Sequence, residues 1–397
     1  MNPNLNQLQP YPFQKLRQLL DGVTRNAALK PIDMQIGEPK HATPIFIRQA
    51  LTDHLDGLST YPTTLGTVAL RSSIATWIQQ RYNLSGIDSD TEVIPVNGSR
   101  EALFSFAQTM IDSSATQPAV VCPNPFYQIY EGAAFLAGAE PYFINTLPEK
   151  NFKLDYSQLP EVVWSRTQLI YVCSPNNPTG SVMTLDDWRV LFALSDRYGF
   201  VVASDECYSE IYCDEKKPPL GALDAAQQLG RTGFPRLVVF NSLSKRSNVP
   251  GLRSGFAAGD ARLLEKFLLY RTYHGSAMNP AAQAASAAAW SDEAHVVENR
   301  RLYARKFADA LAVLSGTVDV QMPDASFYLW IKTPISDTEF TKRLHQDYNV
   351  TVLPGSYLAR DAHGINPGKD FVRIALVASP EECIEAMERI KRLLQTI

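Results

Sequence analysis

The stretch "VVFNSLSKRSNVPGLRSG" at residues 238–255 runs from apolar residues into Ser242, Leu243, Ser244 and Lys245, then adds Arg246, a Pro-Gly pair and Arg253. A lysine beside cations such as Arg246 and Arg253 has its charged form disfavoured, so its pKa falls. An amine in that state is a nucleophile towards carbonyl carbon. Ser242, Ser244 and the planar donors of Arg253 suit the oxygens of a phosphate. A second stretch, "VVASDECYSE" at 201–210, ends an apolar run in Asp205 and Glu206. A carboxylate there needs a partner. That partner is a salt bridge or helix cap, or a cationic atom of a ligand, with Tyr208 close by.

Two further stretches carry weaker signals. "VNGSREALF" at 96–104 puts Gly98, Ser99 and Arg100 at a helix start, where free N–H groups and the helix dipole suit an anion. Gly-Ser is also a common way to begin a helix. "CSPNNPTG" at 173–180 reads in isolation as turn chemistry. The functional alternative turns the Asn177 amide into a crevice. A phosphate, a cationic ring nitrogen facing Asp205 and an aldehyde facing Lys245 together describe pyridoxal phosphate.

Most of these residues follow short apolar runs: "PAVVC", "QLIYVC", "FVVASD", "RLVVF" and "SGFAAG". Each is strand length and apolar on both faces, the pattern of a parallel sheet covered by helices. Ligands then gather at the carboxyl ends of the strands. Helical spacing separates the runs, as in "SREALFSFAQTMI" from Ser99. "TLDDWRVLFALSDRYG" opens with Thr184 and Asp187 at capping-box spacing. The C-terminal part reads as a long helix from about Asp292 to Leu314, then a strand in "FYLWIK", a helix near 337–347, strands in "VTVLP" and "FVRIAL", and a final helix from Pro380. The expected architecture is α/β: a large domain (46–285) with a mainly parallel, mixed sheet sandwiched by helices, plus a smaller α+β domain (286–397). Residues 1–45 are expected to pack on the smaller domain.

The chain has 397 residues, enough for two ordinary domains. Lys plus Arg is 37 and Asp plus Glu is 41, so the net charge of −4 offers no footprint for nucleic acid or an anionic membrane. The five cysteines are scattered, with neither a disulfide framework nor a metal-ligand spacing, so no metal is expected. The N-terminus lacks a basic segment followed by an apolar one, and no apolar run is long enough to span a bilayer. A cytoplasmic protein is the expectation. No phosphate-binding motif of nucleotide enzymes occurs.

The motifs "IGEP" (36–39), "YPTTLG" (61–66), "NGSREAL" (97–103), "PNPFYQIY" (123–130), "PNNPTG" (175–180), "DECY" (205–208), "SLSK" (242–245), Arg253 and "FVRIA" (371–375) stand in this order. Over nearly the whole chain they resemble the fold-type I pyridoxal-phosphate aminotransferases of class I/II, the aspartate aminotransferase superfamily. The resemblance implies that Lys245 bonds the cofactor aldehyde and moves the substrate Cα proton. It implies that Asp205 keeps the ring nitrogen protonated, and that Tyr208 and Asn177 hydrogen-bond the ring hydroxyl oxygen. Tyr127 would stack on the ring, with Phe126 as the runner-up. The backbone amides of Ser99 and Arg100, with Ser242, Ser244 and Arg253, would hold the phosphate. Tyr61 would reach it from a neighbouring subunit, making a homodimer with shared active sites. Arg373 would clamp the substrate α-carboxylate, with the Gly37 backbone close by and Asn177 contributing.

Two regions narrow the resemblance. "NPNLNQLQPYPFQKLRQLL" (2–20) and "SLSKRSNVPGLRSG" (242–255) are similar to the proteobacterial N-succinyldiaminopimelate aminotransferases of lysine biosynthesis. In most relatives the lysine is followed by a Thr/Ser-Phe-type sequence, whereas here it is followed by Arg246, Ser247 and Asn248. The implied reaction moves an amino group between glutamate and N-succinyl-2-amino-6-oxopimelate. An aspartate, alanine or aromatic aminotransferase, or a C–S lyase, would share every cofactor residue. A ligand-sensing domain of aminotransferase type is the non-enzyme alternative, though no basic DNA-binding segment precedes residue 40. Arg246 has no expected role.

Overall fold

A computed structural model describes residues 1–397. Seven strands form the main sheet, in the order Val93–Val96, Gly255–Gly259, Leu237–Ser242, Val201–Asp205, Thr167–Cys173, Ala119–Asn124, Glu140–Asn145. The last five run parallel to one another. Every strand but the outermost Glu140–Asn145 is wholly buried or nearly so. The alternation of side chains explains this: Val239 enters one core with Trp188 and Trp290, while Val238 and Phe240 enter the other with Phe106 and Phe267. Helices therefore cover both faces, including Val68–Tyr82 and Leu185–Tyr198 on one and Ser99–Met110 and Ala261–His274 on the other. The Thr184–Asp187 capping box starts Leu185–Tyr198.

The run "SGFAAG" departs from the parallel pattern. Gly255–Gly259 is antiparallel to both of its neighbours. The short segment after Ser242 leaves no room for a full crossover helix, so the chain turns back beside its own strand.

A second sheet, antiparallel, orders Leu353–Pro354, Phe371–Ala375 and Tyr328–Lys332. Its core joins Leu329, Val372 and Ile374 to Phe307, Phe340 and Met387 from the helices Ala294–Leu314, Asp337–Tyr348 and Pro380–Leu394. "VTVLP" is two strands, not one. Val350–Thr351 pairs with Ile32–Asp33, and after Val352 the chain changes sheets so that Leu353–Pro354 pairs with Phe371–Ala375. The N-terminal segment contacts both parts. Met34 accepts from Ala375 N at 2.8 Å, but Leu8 packs on Gly132 of the helix Ile129–Leu136, within the layer covering the main sheet. No helix is long and apolar enough to cross a membrane.

Candidate active site

The three central strands Thr167–Cys173, Val201–Asp205 and Leu237–Ser242 end side by side, with Cys173 opposite Asp205 and Asp205 opposite Phe240. Their carboxyl ends open into a cleft of about 530 Å³, which Arg373 reaches from the second sheet. Every site residue expected from the sequence lines this cleft except Tyr61. Tyr61 is fully exposed at 102%.

Lys245 Nζ donates to Gly37 O at 2.5 Å and lies 5.4 Å from the centre of the Phe327 ring. Its pKa is lowered to about 8, first by burial; Arg373 and Arg100 lower it further, while Cys207 and Glu38 oppose the shift. This corrects the reading from neighbouring charges. Lys245 is a better nucleophile because the half-buried cleft desolvates its amine, not because Arg246 and Arg253 flank it. Arg246 turns the other way, with 0% exposure, and does not line the cleft.

Asp205 is buried and has no cation within salt-bridge distance, which removes the ion-pair reading. Burial raises its pKa, and hydrogen bonds from Cys207 and Tyr130 offset part of the rise. Tyr130 Oη donates to its Oδ2 at 2.7 Å and Cys207 N to its Oδ1 at 3.3 Å. Glu206 faces away from the cleft. It accepts from Tyr82 Oη, Ser204 Oγ and Ala222 N, and burial lifts its pKa to about 7. The adjacent carboxylates thus serve different purposes because successive residues point to opposite sides.

The helix Ser99–Met110 starts at Gly98 with no side-chain cap, and no protein acceptor takes the N–H of Ser99 or Arg100. Gly98 has φ +85, and a Cβ there would meet Arg253 Nη2 at 2.3 Å. The glycine therefore lets the guanidinium cross the helix start. Arg253 is held by Pro250 O at 2.8 Å. Ser242 Oγ donates to Ser244 Oγ at 2.9 Å, and Cys207 Sγ to Ser99 Oγ at 2.9 Å. Uncapped amides, three hydroxyls and one arginine make a cradle for a phosphate.

Arg373 is 4% exposed and pairs with no acid. Its Nη1 donates to Asn177 Oδ1 at 3.0 Å and its Nη2 to Gln35 O at 2.8 Å, while its Nε has no partner. Neutral acceptors orient the fork and leave its charge uncompensated. Tyr127 lines the cleft and its Oη accepts from Arg100 Nε at 2.6 Å. Phe126 is 1% exposed and packs on Phe143, so it is a core ring.

Several site residues carry no mark in the sequence. Tyr328 Oη lies 3.0 Å from Tyr208 Oη, and Arg373 stands 4.3 Å over its ring. A Cβ on Gly37 would meet that Tyr328 hydroxyl at 1.9 Å, so Gly37 is required for packing as well as for its carbonyl. Tyr130 and Cys207 look like core residues until the fold turns them towards Asp205. Tyr11, Pro12 and Phe13 come to the cleft from the N-terminal segment, and only long-range packing places them there.

A buried carboxyl without a cation, a cradle for phosphate and a half-buried amine of lowered pKa, all in one cleft, fit pyridoxal phosphate. The comparisons agree. Residues 30–390 match the family described as aminotransferase class I and II. The solved structure of an aminotransferase from Neisseria meningitidis Z2491 superposes with a TM-score of 0.96 at 53% identity, covering 99% of this chain and 100% of that one. An LL-diaminopimelate aminotransferase of Aquifex aeolicus (strain VF5) is 31% identical over 403 residues, 98% of each chain. A probable N-succinyldiaminopimelate aminotransferase from Thermus thermophilus superposes with a TM-score of 0.81 at 26% identity, covering 96% of this chain and 98% of that one.

Proposed function

This chain belongs to the class I and II aminotransferases, and from that premise we propose that it moves an amino group between glutamate and N-succinyl-2-amino-6-oxopimelate. Its cofactor is pyridoxal 5'-phosphate. When bound, the cofactor supplies an aldehyde for the amino group and a ring that accommodates the electron pair left by the departing Cα proton.

The chain's own residues do the rest. Asp205 would face the ring nitrogen and, as a carboxylate paired with it, keep that nitrogen protonated. Arg373 would fix the substrate α-carboxylate with the guanidinium it brings to the cleft. Lys245 Nζ, neutral above about pH 8, would hold the aldehyde at rest, then take the Cα proton and return it. Asn177 and Tyr208 would hydrogen-bond the ring hydroxyl, and Tyr127 would stack on the ring. The backbone amides of Ser99 and Arg100, with Ser242, Ser244 and Arg253, would hold the phosphate.

One observation carries the substrate class. Arg100 lines the cleft with no carboxylate partner, its guanidinium about 6 Å from the Tyr11 and Tyr127 rings. With Arg253 on the phosphate and Arg373 on the α-carboxylate, Arg100 is left for a distal carboxylate. Glutamate and the succinylated pimelate both carry one. The names of the Aquifex and Thermus relatives support the diaminopimelate class. A second reading takes LL-diaminopimelate itself, whose distal end bears the same carboxylate together with a free ammonium in place of the succinyl amide. It is favoured by Glu38, which lines the cleft without a cation partner. Assaying amino transfer to 2-oxoglutarate from each diaminopimelate separates the two. Preference for the succinylated compound supports the first reading, and preference for the free one overturns it.

We further propose a homodimer in which Tyr61 completes the partner's phosphate cradle. Ile45, Leu58, Tyr61 and Val68 form an exposed apolar run along 45–68 that a second copy would cover.

A further inference from the structure

Arg246, Ser247 and Asn248, the residues after Lys245, all grip one place: the junction between the helices Pro280–Trp290 and Ala294–Leu314. Arg246 Nη1 donates to Ala289 O at 2.7 Å, and Nη2 donates to Asp292 O at 3.1 Å and to the Glu293 carboxylate. The guanidinium lies 4.9 Å from the Trp290 ring centre and 5.4 Å from that of Trp77. A planar cation is thus buried against the carbonyl end of a helix, where its donors and its charge both suit the site.

Ser247 continues the grip. His295 Nε2 lies 2.8 Å from Ser247 Oγ, and His295 Nδ1 lies 2.5 Å from Asp292 Oδ1. This Ser–His–Asp order resembles a hydrolase triad, but Ser247 is 0% exposed and no substrate could reach it. Asn248 Nδ2 donates to Asn299 Oδ1 at 3.1 Å, and Asn299 Nδ2 reaches the carbonyl of Lys245 itself at 3.4 Å. His41 Nδ1 meets the same Asn299 Oδ1 at 2.7 Å, and Thr43 Oγ1 donates to Asn248 O at 2.8 Å.

The helix Ala294–Leu314 continues from this junction into the second core. Tyr303 stacks on Phe327, the ring facing Lys245 Nζ, and Phe307 packs in the cluster containing Val372 and Ile374, the neighbours of Arg373. One helix therefore holds the turn of Lys245 at its start and supports the strand of Arg373 further along.

We propose that Arg246, Ser247 and Asn248 are positioning residues, which through His295 and Asn299 set the register of the Lys245 amine against the carboxylate-binding Arg373. Binding of an amino acid draws on the arginines of the cleft, Arg373 and Arg100, and not on the register of the Lys245 amine, whereas proton transfer needs Lys245 and Arg373 in register. Loss of the grip therefore reduces turnover more than affinity. This rests on the amino-transfer reading only for its kinetic arm.

Ser247→Ala and Asn299→Ala are the decisive variants, with Arg246→Lys beside Arg246→Met to test rescue by a conserved charge. In the cofactor-loaded protein without substrate, the pH midpoint of the visible absorbance reads the surroundings of Lys245. In steady-state amino transfer from glutamate to an oxo acid, kcat and KM are read separately. The proposal expects a displaced pH midpoint in both alanine variants, and kcat lowered about tenfold with KM changed less than about twofold. Arg246→Lys should recover part of what Arg246→Met loses. Folded, cofactor-loaded alanine variants with the wild-type pH midpoint and kcat would overturn it, as would a change confined to KM. If the wild-type protein converts no amino acid, the amino-transfer reading fails, while the substrate-free pH midpoints still decide the positioning role.

Discussion

Arg373 Nη1 and Asn177 Oδ1 meet at 3.0 Å, joining a strand of the small antiparallel sheet to the loop after a strand of the main sheet. The bond aims the guanidinium without neutralising it, so under the proposed function a carboxylate would be held only where both sheets contribute. Arg373→Ala should raise KM for glutamate strongly and lower kcat/KM by about 100-fold or more, the scale of a lost charge-assisted fork. Asn177→Ala should cost less and lose most of its effect in the Arg373→Ala background. Steady-state kinetics of the double-mutant cycle check this, and additive effects would show that the bond does not orient the fork.

Asp205→Asn should nearly abolish turnover while leaving the fold intact. Burial raises the Asp205 pKa in the folded, cofactor-free protein, so between the unfolded and folded values the folded state binds more protons. Stability from this group therefore falls as pH rises through that window. Asn removes the titration. The cofactor-free variant should melt at or above the wild-type temperature at neutral pH, with a flatter pH dependence, as thermal unfolding across pH would show.

Lys245 should react with an amine reagent in the cofactor-free protein with a midpoint near 8, well below an ordinary lysine. Mass spectrometry of the labelled peptide across pH reads this directly. Lys245→Ala should still take up cofactor yet lose turnover, and near-normal turnover in that variant would remove Lys245 from the chemistry.

Arg100→Gln should raise KM for glutamate about 10- to 100-fold while leaving alanine, which has no distal carboxylate, nearly unaffected. Equal losses for both amino acids would mean that Arg100 serves the cofactor instead.

The sequence made the sheet and the cofactor side of the cleft readable because strands end where chemistry begins. Asp205, Ser242 and Lys245 each follow an apolar run, and that order survives folding. The other side of the cleft is built by contacts distant in sequence. Tyr328 sits in an unremarkable strand pattern, and its role emerges only when Gly37 lies across its hydroxyl and Arg373 over its ring. Lys245 shows a further limit. Two neighbouring arginines predict its lowered pKa, but one of these, Arg246, is buried against Trp290 on the far side of the turn. Adjacency in sequence points to the right residue and the wrong cause. It likewise offers no hint that Arg246 anchors a helix junction rather than a substrate.

The most direct test adds glutamate to the purified, cofactor-loaded protein and follows its visible spectrum together with the 2-oxo acid released. Loss of the resting absorbance with one equivalent of 2-oxoglutarate per cleft, reversed by adding 2-oxoglutarate, is the predicted result. An unchanged spectrum with no oxo acid formed would contradict glutamate-dependent amino transfer at Lys245.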